Sequence, residues 1–293
     1  MDPSMEEKLD PGMGGRKPGT GMDPADLSCA LWPPLWPPGL PLSTFSPMNP
    51  PRPLVDHLIY VVPDLEAALP AVEATLGVRP VLGGRHPEWG TWNALLSLGS
   101  DVYLEVVAPD PVHAASVASR TDAGGEVGET GEGGGRDLRL ATLFGVDRVR
   151  APRLATWCAR AESLESRAAA AAAVGLDVGP LREGGRERPD GSRVSWRISD
   201  PTGDREGGVV PFLIAWGTTP HPAGGVPGGA SLGLTLEGLS VEHPDPERIG
   251  RWLKALEVEV LVREAPAPAL VAVLNTPLGE VVHRSDAPIF PLT

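Results

Sequence analysis

Cysteine and lysine are scarce in this chain. Cys29 and Cys158 are its only cysteines, too few for a disulfide framework or a cysteine-based zinc cluster, so a reducing, cytoplasmic setting is the expectation. Lys8, Lys17 and Lys254 are its only lysines, and 25 basic residues face 38 acidic ones for a net charge of −13. No dense basic run is present to meet a phosphate backbone, which argues against nucleic acid as a partner. Long apolar runs are missing too. The longest smooth one, Ala168 to Val174, is far too short to cross a bilayer, and Leu31 to Leu42 is broken by five prolines, so no membrane span is expected. The first ten residues carry Asp2, Glu6, Glu7 and Asp10 where a secretory signal needs positive charge and then an apolar stretch.

Proline and glycine, in contrast, are abundant: 34 and 36 residues of 293. They crowd the N-terminus, where residues 1–53 hold thirteen prolines and six glycines, the expected composition of a disordered tail. Within it Leu31-Trp32-Pro33-Pro34 repeats as Leu35-Trp36-Pro37-Pro38, a polyproline II tandem able to dock an aromatic-lined groove. Translation from Met48 would run almost directly into the first strand, making residues 1–47 an artefact of start-site choice. Gly124 to Gly135, with seven glycines and three glutamates in twelve positions, reads as a solvated linker over 121–136. A further Pro/Gly stretch lies around 220–229.

Between these breaks one pattern recurs three times. Leu54 to Val62 is strand-like and is followed by a helix opening at Asp64, with Leu65, Leu69, Val72 and Leu76 at helical spacing and a stop at Gly77. Arg153 to Arg160, the cap Ser163 and an Ala-rich helix ending at Gly175 repeat it. Leu234 to Val241, the cap Asp245 and the face Ile249, Trp252, Leu253 and Leu256 repeat it again. Pro70 interrupts the first helical pattern and should bend it. Further strands are expected at 79–83, 91–98 and 102–108, and at 178–181, 193–199 and 209–216, with Pro189-Asp190-Gly191 as a turn. The expectation is an α+β protein with modules at 54–120 and 137–219 inside a domain spanning 54–222, and a partial third module at 230–293.

Several segments carry a resemblance. Val55-Asp56-His57-Leu58, Gly83-Gly84-Arg85-His86-Pro87 with Gly90-Thr91-Trp92-Asn93-Ala94, and Tyr103-Leu104-Glu105 are similar to the glyoxalase-like family of the vicinal oxygen chelate superfamily. Arg186-Arg188-Pro189-Asp190-Gly191, Pro211-Phe212-Leu213-Ile214-Ala215-Trp216-Gly217 and His221-Pro222 are similar to its second half. The resemblance implies paired βαβββ modules whose curved mixed sheet forms a cup around a small-molecule ligand or a metal. It also implies a first-strand histidine and a fourth-strand glutamate, here His57 and Glu105, binding a divalent ion such as Zn, Ni, Mn or Fe. Such an ion would activate neighbouring substrate oxygens as a Lewis acid.

The residues themselves place His57 with Ile59 and Val61 on one strand face, and Glu105 with Tyr103 and Val107 on another. Convergence of that imidazole and carboxylate would make a reactive centre, with Glu105 as a candidate general base. Arg85, His86, Thr91 and Asn93 form a donor-rich set for substrate, Arg85 being able to clamp a carboxylate and His86 able to add a metal ligand; Tyr103 and Arg197 complete the substrate-binding candidates. The second half lacks matching ligands: Thr156 falls opposite His57, and Leu213 or Ala215 opposite Glu105. His113, His221 and His243 read as exposed, His283 as part of the third unit, and the tryptophans outside the tail as core or cup wall. No Ser/His/Asp arrangement is legible around Ser195, and the Gly-rich linker lacks the ending a phosphate loop needs.

Three functions remain open on these grounds. One is a metal-dependent lyase, isomerase or dioxygenase acting on an oxygen-rich or anionic small molecule. Another is a metal-free sequestering module of the bleomycin-resistance type, and the third an interaction protein working through the Trp-Pro tail. Edge strands of such modules pairing between subunits would give a homodimer, unless the third unit covers them.

Overall fold

The computed structural model describes residues 54–113, 143–188, 191–203 and 205–285. The Trp-Pro tandem, Met48, Cys29 and the linker 121–136 lie outside them.

Each of the first two units folds as strand, helix and three strands. The first comprises β1 (Val55–Val61), α1 (Leu65–Leu76), β2 (Val81–His86), β3 (Thr91–Ser97) and β4 (Tyr103–Pro109). The second comprises β5 (Arg153–Arg160), α2 (Leu164–Ala173), β6 (Arg182–Glu187), β7 (Arg193–Ile198) and β8 (Phe212–Ala215). The helices start where their caps dictate. Asp64 Oδ1 accepts from the Ala67 backbone N–H at 3.0 Å, and Ser163 Oγ from Ser166 N–H at 3.2 Å, each satisfying an otherwise orphaned donor. Gly77 ends α1 in the left-handed conformation, at φ 69°. Pro70 lies on the exposed side of α1, where water can satisfy the carbonyl that its missing N–H leaves unpaired.

In both units the first strand runs parallel beside the fourth, and the eight strands close into a barrel ordered β1-β4-β3-β2-β6-β7-β8-β5. The two seams differ. β1 and β5 pair antiparallel over six positions, whereas β2 meets β6 through the single pair Arg85 and Glu187. The second strands begin later than the sequence suggests, at 81 and 182, because Gly-Gly and alternating charges hide their strand character.

Strand alternation sorts the side chains into two layers. Leu58, Tyr60, Leu104, Val106 and Leu213 point outward and pack against the apolar faces of the helices. Ile59, Val61, Val107, Cys158, Ile198, Phe212 and Ile214 point into the barrel.

The third unit comprises β9 (Thr235–His243), α3 (Pro246–Ala255), β10 (Leu261–Glu264), β11 (Ala269–Thr276) and β12 (Gly279–Arg284). It keeps the element order of the other two but not their sheet order. β9 runs parallel to β10 and antiparallel to β11, giving the separate four-stranded sheet β10-β9-β11-β12. Trp252 of α3 donates its indole N–H to the Val174 carbonyl at 3.1 Å, and His283 packs edge-on against Tyr60, so this unit docks on the outer layer of the barrel. No helix of the described residues is long and apolar enough to cross a membrane.

Candidate functional site

The barrel opens into one cleft of about 520 Å³ counting its mouth, lined by His57, His86, Asn93, Tyr103, Glu105 and Arg186 among a wall of aromatic and aliphatic side chains. His57 lies opposite Tyr103 on the neighbouring strand and Glu105 opposite Ile59, so the parallel register sets the imidazole and the carboxylate two positions apart on one face. His57 Nε2 stands 3.5 Å from Glu105 Oε2, and both residues are more than nine-tenths buried.

The rest of the geometry around His57 depends on a bulge. The β1–β5 register slips between Val55 and His57, which inserts Asp56 as an extra residue and lets consecutive side chains touch. Asp56 Oδ1 accepts from His57 Nδ1 at 2.8 Å, while Oδ2 accepts from Arg160 Nε and Trp216 Nε1, both at 2.9 Å, and stands 3.2 Å from His221 Nε2. Burial alone would push this carboxyl up. The hydrogen bonds from His221 and His57 and their charges outweigh burial and hold it well below the usual carboxylate range. An ionised Asp56 can only accept, so His57 Nδ1 carries a proton and donates it, and Nε2 faces Glu105.

Glu105 is positioned from β3: Asn93 Nδ2 donates to its Oε1 at 2.6 Å. His86, from the end of β2, places Nε2 4.0 Å from the same oxygen and has Nδ1 3.1 Å from Thr91 Oγ1. Burial lowers the His86 pKa to about 4, with the nearby Glu105 charge opposing it, so His86 is a neutral hydrogen-bonding group at pH 7. Tyr103 stacks on His57 at 4.6 Å between ring centroids; burial, then the charges of Glu105 and Asp56, push its hydroxyl pKa well up and keep it a phenol.

Three residues expected at the substrate, Arg85, Arg197 and Thr91, do not line the cleft. Arg85 turns outward, paired with Asp110 and lying 5.0 Å over the Trp92 ring. Arg197 lies on the outer face of β7, paired with Glu165 at 2.7 Å and Glu183 at 3.2 Å, because Trp196 and Ile198 on either side of it take the inward positions. Thr91 supports His86 without lining the cleft. Arg186 does line it, and sequence reasoning did not single it out. A signal existed: Gly83-Gly84-Arg85-His86 is matched in the second unit by Gly184-Gly185-Arg186-Glu187.

The second unit otherwise gives the cleft apolar groups. On β8 the inward residues are Phe212 and Ile214, one position off the Leu213 and Ala215 expected from the repeat, while Thr156 keeps the position equivalent to His57 and Cys158 is the residue that pairs with His57 across the seam. Thr156 donates to the Gly208 carbonyl at 3.0 Å. Burial raises the Cys158 thiol pKa well above its usual value, so it stays protonated. Two histidines are less exposed than expected, His243 being buried beside Glu206 and His221 joining Asp56, while His283 lies in the third unit as expected, buried on Tyr60.

Among the described residues no three His, Cys, Asp or Glu side chains converge as a metal ion requires. His57 Nε2 and Glu105 Oε2 are two donors, His86 Nε2 at 4.0 Å from the other Glu105 oxygen does not converge with them as a third, and Phe212, Ile214 and the Arg186 guanidinium line the same cleft. This donor set does not fit a divalent ion held by protein side chains, which need three or four.

No curated protein sequence matches the chain. Among solved structures it is similar to a hypothetical protein from Staphylococcus aureus, at 17% identity over 78% of this chain and 84% of that one, with a TM-score of 0.48. It is also similar to methylmalonyl-CoA epimerase from Mycobacterium tuberculosis, at 20% identity over 58% and 95%, with a TM-score of 0.32. A Streptomyces coelicolor methylmalonyl-CoA epimerase variant in complex with 2-nitronate-propionyl-CoA gives 17% identity over 57% and 96%, with a TM-score of 0.33. The family model for the glyoxalase-like domain matches residues 55–257, a span that takes in both halves of the barrel together with β9 and α3. The chain therefore belongs to the glyoxalase-like domain family.

Proposed function

We propose that the cleft binds a small, oxygen-rich anionic molecule and that His57 and Glu105 move a proton on it, as a lyase or isomerase does. The observation that carries this reading is the 3.5 Å approach of His57 Nε2 to Glu105 Oε2. An imidazole lone pair and a carboxylate oxygen both accept hydrogen bonds, so they face each other at that distance only with a proton, or a ligand's donor group, to share. Asp56 keeps the His57 ring in the orientation that aims Nε2 inward, and Asn93 occupies Glu105 Oε1, which leaves Oε2 for the ligand. Arg186 supplies the positive charge that stabilises an anionic oxygen, the part that the family resemblance gives to a divalent ion on His57 and Glu105.

A second reading, a sequestering module without turnover, is favoured by the apolar character of what the second unit contributes, Phe212, Ile214 and Trp216. One experiment separates the two. Small carboxylic and 2-oxo acids are incubated with the protein in D2O, and exchange at the carbon beside the carbonyl is followed by NMR. The expected result is exchange of a bound acid by wild-type protein, unchanged by EDTA, and slowed about 10²- to 10⁴-fold in Glu105→Gln with binding retained. Binding without exchange supports the sequestering module. Absence of binding by any of these acids overturns the reading.

A further inference from the structure

Arg186 is a buried cation that makes no direct ion pair, the nearby charge that acts on it being Glu105 in the same cleft. Its residue is 6% exposed, its guanidinium donates to the Gly83 carbonyl, and no carboxylate of the described residues lies within ion-pair distance of it. A guanidinium buried without a direct carboxylate partner is costly, so its position at the cleft marks a place for a ligand's negative charge. The rest of the cleft limits that charge to one. Arg85 and Arg197 face outward, neutral His86 adds none, and the Glu105 carboxylate repels a second. A phosphate dianion needs more positive charge than one guanidinium.

Much of the cleft lining is aromatic. The chain has eight tryptophans, four phenylalanines and two tyrosines, and six of these fourteen residues line this one cleft. Trp196 and Trp216 meet edge to face at 5.5 Å, and Phe144 lies 5.5 Å from Phe212. Phe144 holds that place with φ 54°, a strained backbone for a bulky side chain and one found where structure serves a site.

We infer that the ligand is an aromatic monocarboxylate, of the aryl 2-oxo acid class, its carboxylate on Arg186 and its ring among Trp89, Phe144, Trp196, Phe212 and Trp216. This rests on the reading of the cleft as the ligand site and adds the chemical class. A planar ring gains edge and face contacts with such walls beyond the area it buries, whereas a short aliphatic acid leaves them in water. The carboxylate end on Arg186 brings the carbon beside the carbonyl towards Glu105 and His57, where a proton is to be moved.

The test is calorimetric titration of the full chain with phenylpyruvate, pyruvate, 2-phenylethanol and inorganic phosphate. Phenylpyruvate is expected to bind at least about tenfold more tightly than each of the others. Arg186→Gln is expected to cost phenylpyruvate about tenfold or more, and Trp196→Leu to weaken phenylpyruvate while leaving pyruvate unchanged. Equal affinity for pyruvate, for the neutral alcohol or for phosphate overturns the assigned class and leaves the proton-transfer reading standing. If no acid binds, aliphatic or aromatic, both fall. Should Arg186→Gln fail to fold, the ladder of four probes on wild-type protein and the Trp196→Leu comparison still decide the question.

Discussion

Arg85 and Arg186 occupy matching places in two Gly-Gly-Arg segments, yet Arg85 faces solvent and Arg186 faces the cleft. The cause is one extra residue. Along β2 the register with β3 slips between Leu82 and Gly84, so the side chains beyond the bulge change sides and His86 takes the inward position. β6 pairs with β7 in unbroken register from Arg182 to Glu187, and Arg186 stays inside.

The bulge predicts a sensitive glycine. Gly84 has φ 143°, and a Cβ there would collide with the Glu187 carbonyl oxygen across the single-pair seam. Gly84→Ala is expected to destabilise the protein by about 2–3 kcal/mol in urea titrations. Gly203→Ala, with open space around its Cβ and no positive φ, is the control and is expected to change stability by less than about 0.5 kcal/mol.

Asp56 predicts an acid limb. Its carboxyl is held below its ordinary pKa, so the stability it contributes is fully present above the unfolded value of 3.8 and is lost as pH falls further towards the folded one. Asp56→Asn is expected to lose about 3 kcal/mol at pH 7, because Arg160 loses its counter-charge and His57 and His221 lose an ionised acceptor. The variant's stability is then expected to fall less steeply than wild type below about pH 4, measured by thermal melts across pH.

Much of this was legible in the sequence. Caps at Asp64, Ser163 and Asp245 mark all three helix starts, and period-two alternation along β1 and β4 puts His57 and Glu105 on the cleft side. Bulges were not legible, since a one-residue insertion leaves composition and hydrophobicity unchanged while reversing every side chain beyond it. That is why Arg85 was expected inside, and why a glycine-rich, charged segment such as β6 hid Arg186. On β8 the inward positions are Phe212 and Ile214, one off the expected ones, although its pairings with β5 and β7 run in unbroken register. The third unit shows that element order does not fix sheet order: β9 pairs with β10, where β1 pairs with β4.

His86 and His283 predict a milder pH effect at less acid values. Burial lowers both pKa values from 6.5 to about 4, so each favours the folded state above pH 6.5 and loses that contribution as pH falls through about 4. Each accounts for roughly 3 kcal/mol across that window. Thermal melts between pH 7 and 4 are expected to show a decline that flattens in His283→Gln, which removes the titrating ring beside Tyr60.

The central claim is that Asp56 holds His57 through a protonated Nδ1 while Nε2 faces the Glu105 carboxylate. Ring nitrogen-15 NMR of the protein tests this most directly. The account predicts a His57 signal protonated at Nδ1, with an Nε2 resonance that moves in Glu105→Gln. A ring protonated at Nε2 alone, or an Nε2 resonance indifferent to Glu105→Gln, would contradict it.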